Sequence, residues 1–450
     1  PEMSRGLGDV YKRQIHYDAV AYGGWAIDLH PADGVYAGGN GCHQWHSKGV
    51  YQIPYRCYVT PDFDNLFVGG RIISSSHVAN GTTRVMCTSA LGGEVIGRAA
   101  SICLSKGYKP IDLVDRDRIG LLQSLLVKNG NFIPGIAVAV EDNLADSAEI
   151  SVSSVLELDD LPADGTWFGL DYPIAQLIPV NGKVPVVRMN VKADNATRLV
   201  MELRSSSKSE NYTPDTIDAV LEFDLKKDEN EIVADFSYSY ATPRYAFICL
   251  MKNPEISVPM SGRLVTGLTA VYNYINPAVS NFGKQVPPEG IGVEEFEFWC
   301  PKRRPESKNI AMSFAPPLAS FNSENLRNSY YRPYIGTNAW IAAFDDARPE
   351  VCFKWNGRKQ IKTIILYFDT DTDQAMETVQ MGHFDACVPT CYREYIVRDS
   401  VGKELYHITG NHQTLNVLEL DQPVMTDAIY VNFVRPCGDV CPGLMGVYVC

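Results

Sequence analysis

Short apolar runs, then a helical stretch, then a long series of alternating segments succeed one another along this chain. Asn65-Leu-Phe-Val68 is a compact apolar run stopped by Gly69-Gly70, and such a run predicts a strand buried on both faces. After a polar loop, Thr82 or Thr83 is placed to cap a helix running to about Lys106. On it Thr83, Met86, Ala90, Gly93, Gly97 and Ala100 recur at three- and four-residue steps, which predicts one nearly flat packing face. Asp115 to Gly130 predicts a second helix, capped by the aspartate and stopped by the glycine, with Ile119, Leu122, Leu125 and Leu126 inward.

From about Ala137 the pattern changes to β-branched runs separated by turns: AEISVSS, VPVVRMNVKA, RLVMELRS, AVLEFDL, EIVADFSYSY and YAFICLMK. Strands at this spacing predict an antiparallel sandwich. In Ala219 to Leu225, Val220, Glu222 and Asp224 oppose Leu221, Phe223 and Leu225, so one face is wet. Prolines and glycines from Lys284 to Gly292 mark a boundary. Beyond it EFEFWCP, AWIAAFDD, EVCFKW, KTIILYFDTD, REYIVRDS, LNVLEL and AIYVNFVRP are again strand-like. The expected fold class is therefore multidomain α/β plus all-β. An α/β part spans residues 15–135, and two antiparallel β-sandwiches span 136–285 and 286–450.

The helix glycines need an explanation. Gly92, Gly93 and Gly97 cost roughly 1 kcal/mol each relative to alanine, against a total stability of about 5–15 kcal/mol. Close packing on a sheet or against a cofactor would offset that, and the spacing does not choose between them.

GGWAIDLHPADG (Gly23 to Gly34), YQIPYRCYV (Tyr51 to Val59) and the run Asn65 to Ser101 together resemble the C-terminal part of an FAD-dependent oxidoreductase family abundant in Bacteroidetes. Its relatives include flavoproteins like the A subunit of heterodisulfide reductase. Its members carry an IPYR strand, a NLLVAGR-like strand, an SxxHVAxGxxRVM loop and a GxAxGxAAA-like helix. The resemblance covers about residues 22 to 130. It departs at Gly69, where alanine is frequent, and at Gly93-Glu94, where glutamine-alanine is common.

The resemblance implies an incomplete FAD-binding, Rossmann-like remnant that moves hydride between a small organic substrate, carbohydrate derivatives included, and flavin, with an electron acceptor beyond. It places Gly69, Gly70 and Arg71 beside the ribityl and pyrophosphate groups, and Gly93 on the close-packed helix. Thr82, Thr83 and Arg84 would form a helix start facing the pyrimidine side of the flavin, where free N–H groups and the helix dipole favour the charge of the reduced form. His77 is the proton-handling candidate, with a structural histidine as the competing reading. His30 clusters in sequence with His43, His46, Asp28, Asp33 and Trp45 and could line the substrate face, although the spacing makes a poor metal site. Tyr55 and Arg56 are substrate-pocket candidates by resemblance only.

The G-x-G-x-x-G turn that opens such flavoproteins does not occur in these 450 residues. Residues 1–14, PEMSRGLGDVYKRQ, look like a translated sequencing-adapter peptide from metagenomic reads, so authentic protein is expected from Ile15 as a truncated fragment. A periplasmic or extracellular location is favoured over a cytoplasmic one. The order of strands from about Glu294 to Cys450 resembles discoidin-like, galactose-binding-like jelly rolls, which bind glycans or serve as packing modules. A noncatalytic glycan-binding or surface protein is therefore the rival reading.

A net charge of −13 argues against nucleic acid and anionic membrane surfaces as partners, and no apolar run is long enough for a transmembrane helix. Among the twelve cysteines, Cys387-x3-Cys391 and Cys437-x3-Cys441 lie near His383. Zinc, disulfides and plain thiols all stay open, whereas the closely spaced runs of an iron–sulfur site are missing. Asp369, Asp371 and Asp373 open like a calcium loop, but Gln374 and Gln380 stand where glycine and glutamate are needed, so a solvated turn is the better reading and no metal is expected.

Overall fold

The computed structural model describes residues 15–38, 41–45, 49–136, 142–206, 213–273, 284–286, 295–297, 299–301, 308–370, 389–438 and 440–450. The chain divides into two units, residues 1–141 with 274–298 and 376–379, and residues 142–273 with 299–375 and 380–450.

Unit 1 begins with β1 (Ala19–Gly23), β2 (Ile27–Leu29), β3 (His43–Trp45) and β4 (Tyr51–Pro54). β1 pairs with β4 and β2 with β3, both antiparallel. Three α-helices follow among the described residues: α1 (His77–Thr83), α2 (Met86–Lys106) and α3 (Arg116–Lys128). Ser76 starts α1 because its hydroxyl accepts the Ala79 N–H at 3.2 Å. Helix α2 ends where Gly107 takes φ 70°, and α3 is capped by Asp115, whose carboxylate accepts the Asp117 N–H. Ile119, Leu122 and Leu126 are buried and Leu125 half-buried, as the periodicity predicts.

Three expectations for unit 1 are corrected. Asn65–Val68 is not a buried strand, since Asn65 and Leu66 are exposed. Phe67 only bridges Val59, and the Val68 N–H donates to Tyr58 O at 2.9 Å. With a backbone neighbour on one side only, there is no sheet to bury the run. Thr82 and Thr83 do not start a helix but finish α1, because Ser76 already caps it, and the extended backbone of Val85 (φ −78°, ψ 153°) breaks the chain before α2. The flat face of α2 is not its buried face: Thr88, Gly92, Val95, Ala99, Ile102 and Cys103 are buried, while Met86, Ala90, Gly93 and Gly97 are exposed. The two stripes are offset by two positions, about 200° around the helix.

Unit 2 runs through β5 (Glu149–Val152), β6 (Leu158–Leu161), β7 (Trp167–Leu170), β8 (Ile174–Val180), β9 (Val186–Ala193) and β10 (Thr197–Ser205). It continues with β11 (Thr216–Leu225), β12 (Asp228–Ala234), β13 (Arg244–Leu250), β14 (Asn253–Ser261) and β15 (Thr269–Tyr272). The pair β16 (Lys284–Gln285) and β17 (Phe296–Glu297) falls in unit 1. Then come β18 (Cys300–Pro301), β19 (Asn309–Ile310), β20 (Met312–Leu318), β21 (Trp340–Ile341) and β22 (Glu350–Tyr367). β23 (Tyr392–Asp399), β24 (Glu404–Thr409), β25 (Leu415–Pro436), β26 (Gly443–Leu444) and β27 (Gly446–Val449) complete it.

The first sandwich sets a sheet of order β11-β10-β13-β8-β15-β18 with one of order β19-β14-β9-β20-β6, to which β7 and β12 attach. β8 is buried along its whole length. Its Gln176 is satisfied inside that core, donating to Thr269 O and Asn309 Oδ1 and accepting the Ile310 N–H at 2.8 Å. On β11 the predicted alternation holds, with Val220, Glu222 and Asp224 exposed and Leu225 buried. The second sandwich is built on β24-β23-β25-β22-β27, with β5 added to β22, and a small β21-β26 pair. Its core holds Trp340, Phe353, Trp355, Tyr395 and Phe433.

Strand pairing crosses the boundary expected near residue 286 in both directions. β5 pairs with β22 of the second sandwich, and β20 pairs with β9 and β6 of the first. Trp340 and Trp355 fasten the leading segment, donating from Nε1 to Ser154 O and Leu144 O. Residues 287–294 of that expected boundary lie outside the described residues. The architecture is thus an α/β part and two antiparallel β-sandwiches.

Candidate functional site

Helix α1 comes close to β2 because Gly81 carries no side chain, and a Cβ there would stand 2.9 Å from Asp28 O. Thr82 Oγ1 donates to Trp25 O at 2.6 Å and lies 2.8 Å from Tyr51 Oη, both buried; burial raises the Tyr51 phenol well above its ordinary pKa. Arg84 donates from Nη2 to Asp28 O at 2.9 Å and stands 3.5 Å from Asp28 Oδ2. His30 Nε2 is 3.3 Å from the same oxygen, and its Nδ1 is 3.1 Å from Gly41 O. Asp28 therefore gathers His30 and Arg84. Desolvation, then the Asp28 charge, hold the Cys42 thiol above its ordinary pKa.

The junction of α1 and α2 differs from this satisfied network. Thr83 is 1% exposed, yet its Oγ1 has no hydrogen-bond partner among the described residues. The same is true of Asn80 Oδ1 and Ser89 Oγ. No side chain caps α2, so the N–H groups of its first turn have no intrahelical acceptor. Thr83 stood out in the sequence, whereas Asn80 and Ser89 did not. The available signal was a polar residue amid small ones, in HVANGTT and in the Thr88-Ser89 pair.

The other candidates are more dispersed. Gly69 permits close approach, but to Ile96 of α2, whose Cδ1 would lie 2.7 Å from an added Cβ. Gly70 has φ 64° and open space where a Cβ would stand, and so has Gly93. Arg71 and His77 are exposed, His77 as the first residue of α1. Asp33 precedes a short 3-10 helix, Gly34–Tyr36, without capping it. His46 and the His43 side chain lie outside the described residues.

Tyr55 and Arg56 stand not on a strand but on a 3-10 helix, Tyr55–Tyr58, because β4 stops at Pro54. Tyr55 is 0% exposed and donates to Pro110 O at 2.8 Å. Arg56 Nη2 donates to Asp18 Oδ1 at 2.7 Å and lies 3.1 Å from His16 Nδ1, while its N–H donates to Asp18 Oδ2. This group is anchored on the β1–β4 side of the unit and has no hydrogen bond to the α1–α2 junction among the described residues.

In the last sandwich Cys437 is held in a disulfide, while Cys391 and Cys441 are thiols outside any disulfide. A disulfide sulfur is not a thiolate, so in this state Cys437 offers no ligand to a four-thiolate zinc site. Burial pushes the Cys391 thiol up to about 12, and its sulfur accepts from Asn411 Nδ2 at 3.4 Å. Cys387, His383, Asp371, Asp373, Gln374 and Gln380 lie outside the described residues. Asp369 is buried and accepts from Thr266 Oγ1 at 2.5 Å.

Residues 7–126 match the family model of FAD dependent oxidoreductases. No curated protein is matched. Solved structures similar to part of the chain include the family 32 carbohydrate-binding module of Streptococcus pneumoniae EndoD, at 10% identity and a TM-score of 0.23, covering 29% of this chain and 86% of that one. Chitosan-binding module 1 of a chitosanase/glucanase from Paenibacillus sp. IK-5 is similar at 9% identity and TM-score 0.22, over 29% and 86%. The family 32 module of Clostridium perfringens NanJ, solved with galactose, is similar at 9% identity and TM-score 0.22, over 29% and 85%. No helix among the described residues is long and apolar enough to cross a membrane.

The α1–α2 junction fits the matched family's cofactor in kind. Buried hydroxyls without partners and an uncapped helix start are donors suited to the carbonyl and ring nitrogens of a flavin.

Proposed function

We propose that unit 1 is the flavin-handling part of an FAD-dependent oxidoreductase acting on a small organic substrate, carbohydrate derivatives included. The observation that carries this reading is the α1–α2 junction, where Thr83 and Ser89 keep buried, unpartnered hydroxyls on either side of the α2 start, inside the span that the family model matches.

FAD, when bound, would take a hydride from the substrate and give up the electrons to a second acceptor. The first-turn N–H groups of α2 and the helix dipole favour negative charge at that end by up to about 2 kcal/mol, or about 40 mV in a two-electron couple. Thr83 and Ser89 each offer one proton and two lone pairs. Thr82 is spent on Trp25 and Tyr51, and Arg84 on Asp28, so they position the junction from behind. This reading assigns the substrate proton to His77, which is exposed at the start of α1, imidazole being the side chain suited to that exchange near neutral pH.

The test is FAD titration of the protein expressed from its native gene, followed by flavin fluorescence and visible circular dichroism. Binding is expected, weakened about tenfold in Thr83→Val, which removes the hydroxyl and keeps the shape. A folded protein with its helical signal intact and no response to FAD would overturn the proposal.

A further inference from the structure

Unit 2 contains a cavity of about 300 Å³ that the flavin reading leaves unused. Its wall combines the end of β8, Asn181 and Pro243 from the first sandwich with segment 319–338, which leads into the second. Although 21% of the chain is charged, none of the fifteen lining residues is Asp, Glu, Lys, Arg or His. Five of them are asparagines, joined by Ser320, Thr337, Tyr330 and Tyr334.

This lining is selective on physical grounds. An ion entering it would lose water without meeting a counter-charge. Carboxamides and hydroxyls both donate and accept, and so do the hydroxyls of a sugar. Two tyrosines, with centroids 4.9 Å apart and planes tilted by 36°, add aromatic surface for the C–H faces of a ring. A volume of this order lies at the lower end of the range for small-molecule sites.

The wall is built rather than incidental. Asn328 Nδ2 donates to Asn338 Oδ1 at 2.7 Å, and Asn338 Nδ2 to Tyr334 O at 2.7 Å. These amides brace a backbone in which Ser329, Ile335 and Asn338 have φ of 61°, 64° and 51°. That region is costly for a β-branched residue such as Ile335, and backbone held there by its surroundings is characteristic of ligand-binding walls. Tyr245 helps hold it, donating from Oη to Gly336 O at 3.0 Å. The Asn181 carboxamide and Asn322 Nδ2, in contrast, have no hydrogen bond among the described residues, and both residues are exposed.

We propose that this cavity binds the neutral, polyhydroxylated ring of a saccharide, with the amides of Asn181 and Asn322 as its free hydrogen-bonding groups. The proposal does not depend on the flavin reading of unit 1.

The experiment is calorimetry and saturation-transfer NMR on the full chain with glucose, galactose, N-acetylglucosamine and their disaccharides, and with glucuronate as the charged control. At least one neutral sugar is expected to bind with a Kd of about 1 mM or tighter, with glucuronate at least about tenfold weaker. Asn181→Ala should weaken the neutral sugar about fivefold to tenfold, and Ala319→Trp, which adds bulk at an exposed lining position, should abolish it. FAD titration should be unchanged in both variants. Failure of every neutral sugar below roughly 10 mM, preference for glucuronate, or binding that survives Asn181→Ala would overturn the proposal; should Ala319→Trp unfold, Asn181→Ala alone decides.

Discussion

The two units treat their buried polar groups in opposite ways. In unit 2, Gln176 is 0% exposed and uses both ends of its carboxamide. Among the described residues the unpartnered buried atoms there include the Nε atoms of Arg244 and Arg327, whose guanidinium groups have other donors. In unit 1, besides Arg56 Nε, the atoms Asp28 Oδ1, Asn80 Oδ1, Thr83 Oγ1, Ser89 Oγ and Asn131 Nδ2 lack partners among the described residues, while Met86 and Leu104 on α2 are 86% and 87% exposed. A buried polar group without a partner costs about 1–3 kcal/mol. Unit 1 thus carries around α1 and α2 a cost that a bound polar ligand would remove. Unit 2 carries its saccharide candidate in a cavity whose scaffold is already satisfied.

The largest test of that contrast falls on an ion pair of unit 1 whose carboxylate is fully buried. The Asp18 side chain is 0% exposed and holds Arg56 at 2.7 Å, so Asp18→Ala strands a half-buried guanidinium. A loss of about 3 kcal/mol is expected, read by urea unfolding through the helical far-ultraviolet signal. A loss below about 1 kcal/mol would mean that Arg56 simply turns to water. His16 beside it has its pKa lowered from 6.5, by burial and then by Arg56. The unfolded chain therefore binds the proton more readily. Unit 1 should hold its full stability above pH 6.5 and lose part of it as the pH falls from there toward the lowered folded value.

The helix glycines give a smaller and sharper test. A Cβ on Gly92 would lie 2.7 Å from Cε1 of Tyr58, which is 1% exposed and cannot yield. Gly92→Ala should cost about 1–3 kcal/mol. A Cβ on Gly93 or Gly97 meets nothing within 4 Å, so alanine there should stabilise by about 1 kcal/mol each. If this exposed face is covered in the loaded protein, Gly93→Ala will raise the urea midpoint and weaken FAD binding together. Higher stability with unchanged FAD affinity would show that the face stays bare and would remove the glycines from the flavin reading.

These residues also show what the sequence could and could not reveal. The end of α2, the Asp115 cap of α3 and the alternation of β11 were legible because each is set within a few residues by a local rule. The buried face of α2 was not. Small residues at three- and four-residue steps mark where something can approach, and here that face points away from the chain's own core. EVCFKW and KTIILYFDTD read as two strands, but β22 is one strand of 18 residues. Gly357, at φ 98°, lies in the register shift between Lys354 and Lys359, where the ladder with β25 is interrupted without the chain reversing. A glycine signals a left-handed backbone, and only the partner strand decides between a turn and a bulge. Thr83 was legible as a candidate through its neighbourhood. Asn80 and Ser89 were not, because lacking a partner is a property of packing. The saccharide candidate was invisible for the same reason, since Asn181 and Asn338 meet only through the fold.

The smallest effect belongs to unit 2 and completes the comparison. Lys308 donates to Asp164 Oδ2 at 2.7 Å, and the Thr166 N–H and Oγ1 both donate to Oδ1. Desolvation pulls the Asp164 carboxyl up, but the hydrogen bonds from Lys308 and Thr166 outweigh it and bring the pKa down from 3.8 to about 2. The folded form therefore holds its proton less tightly than the unfolded chain. The stabilisation is present above pH 3.8 and fades as the pH falls toward 2. Since Asp164 and Lys308 keep 26% and 36% of their side-chain surface in water, it amounts to about 1 kcal/mol or less. Asp164→Asn should cost that much at neutral pH and progressively less as the pH falls through about 2, as measured by urea unfolding. The loss linked to His16 begins as the pH falls below 6.5, so acidification from neutral should weaken the helical signal of unit 1 before the sheet signal of unit 2. Sheet loss at the higher pH would show that the less satisfied unit is not the more acid-sensitive one.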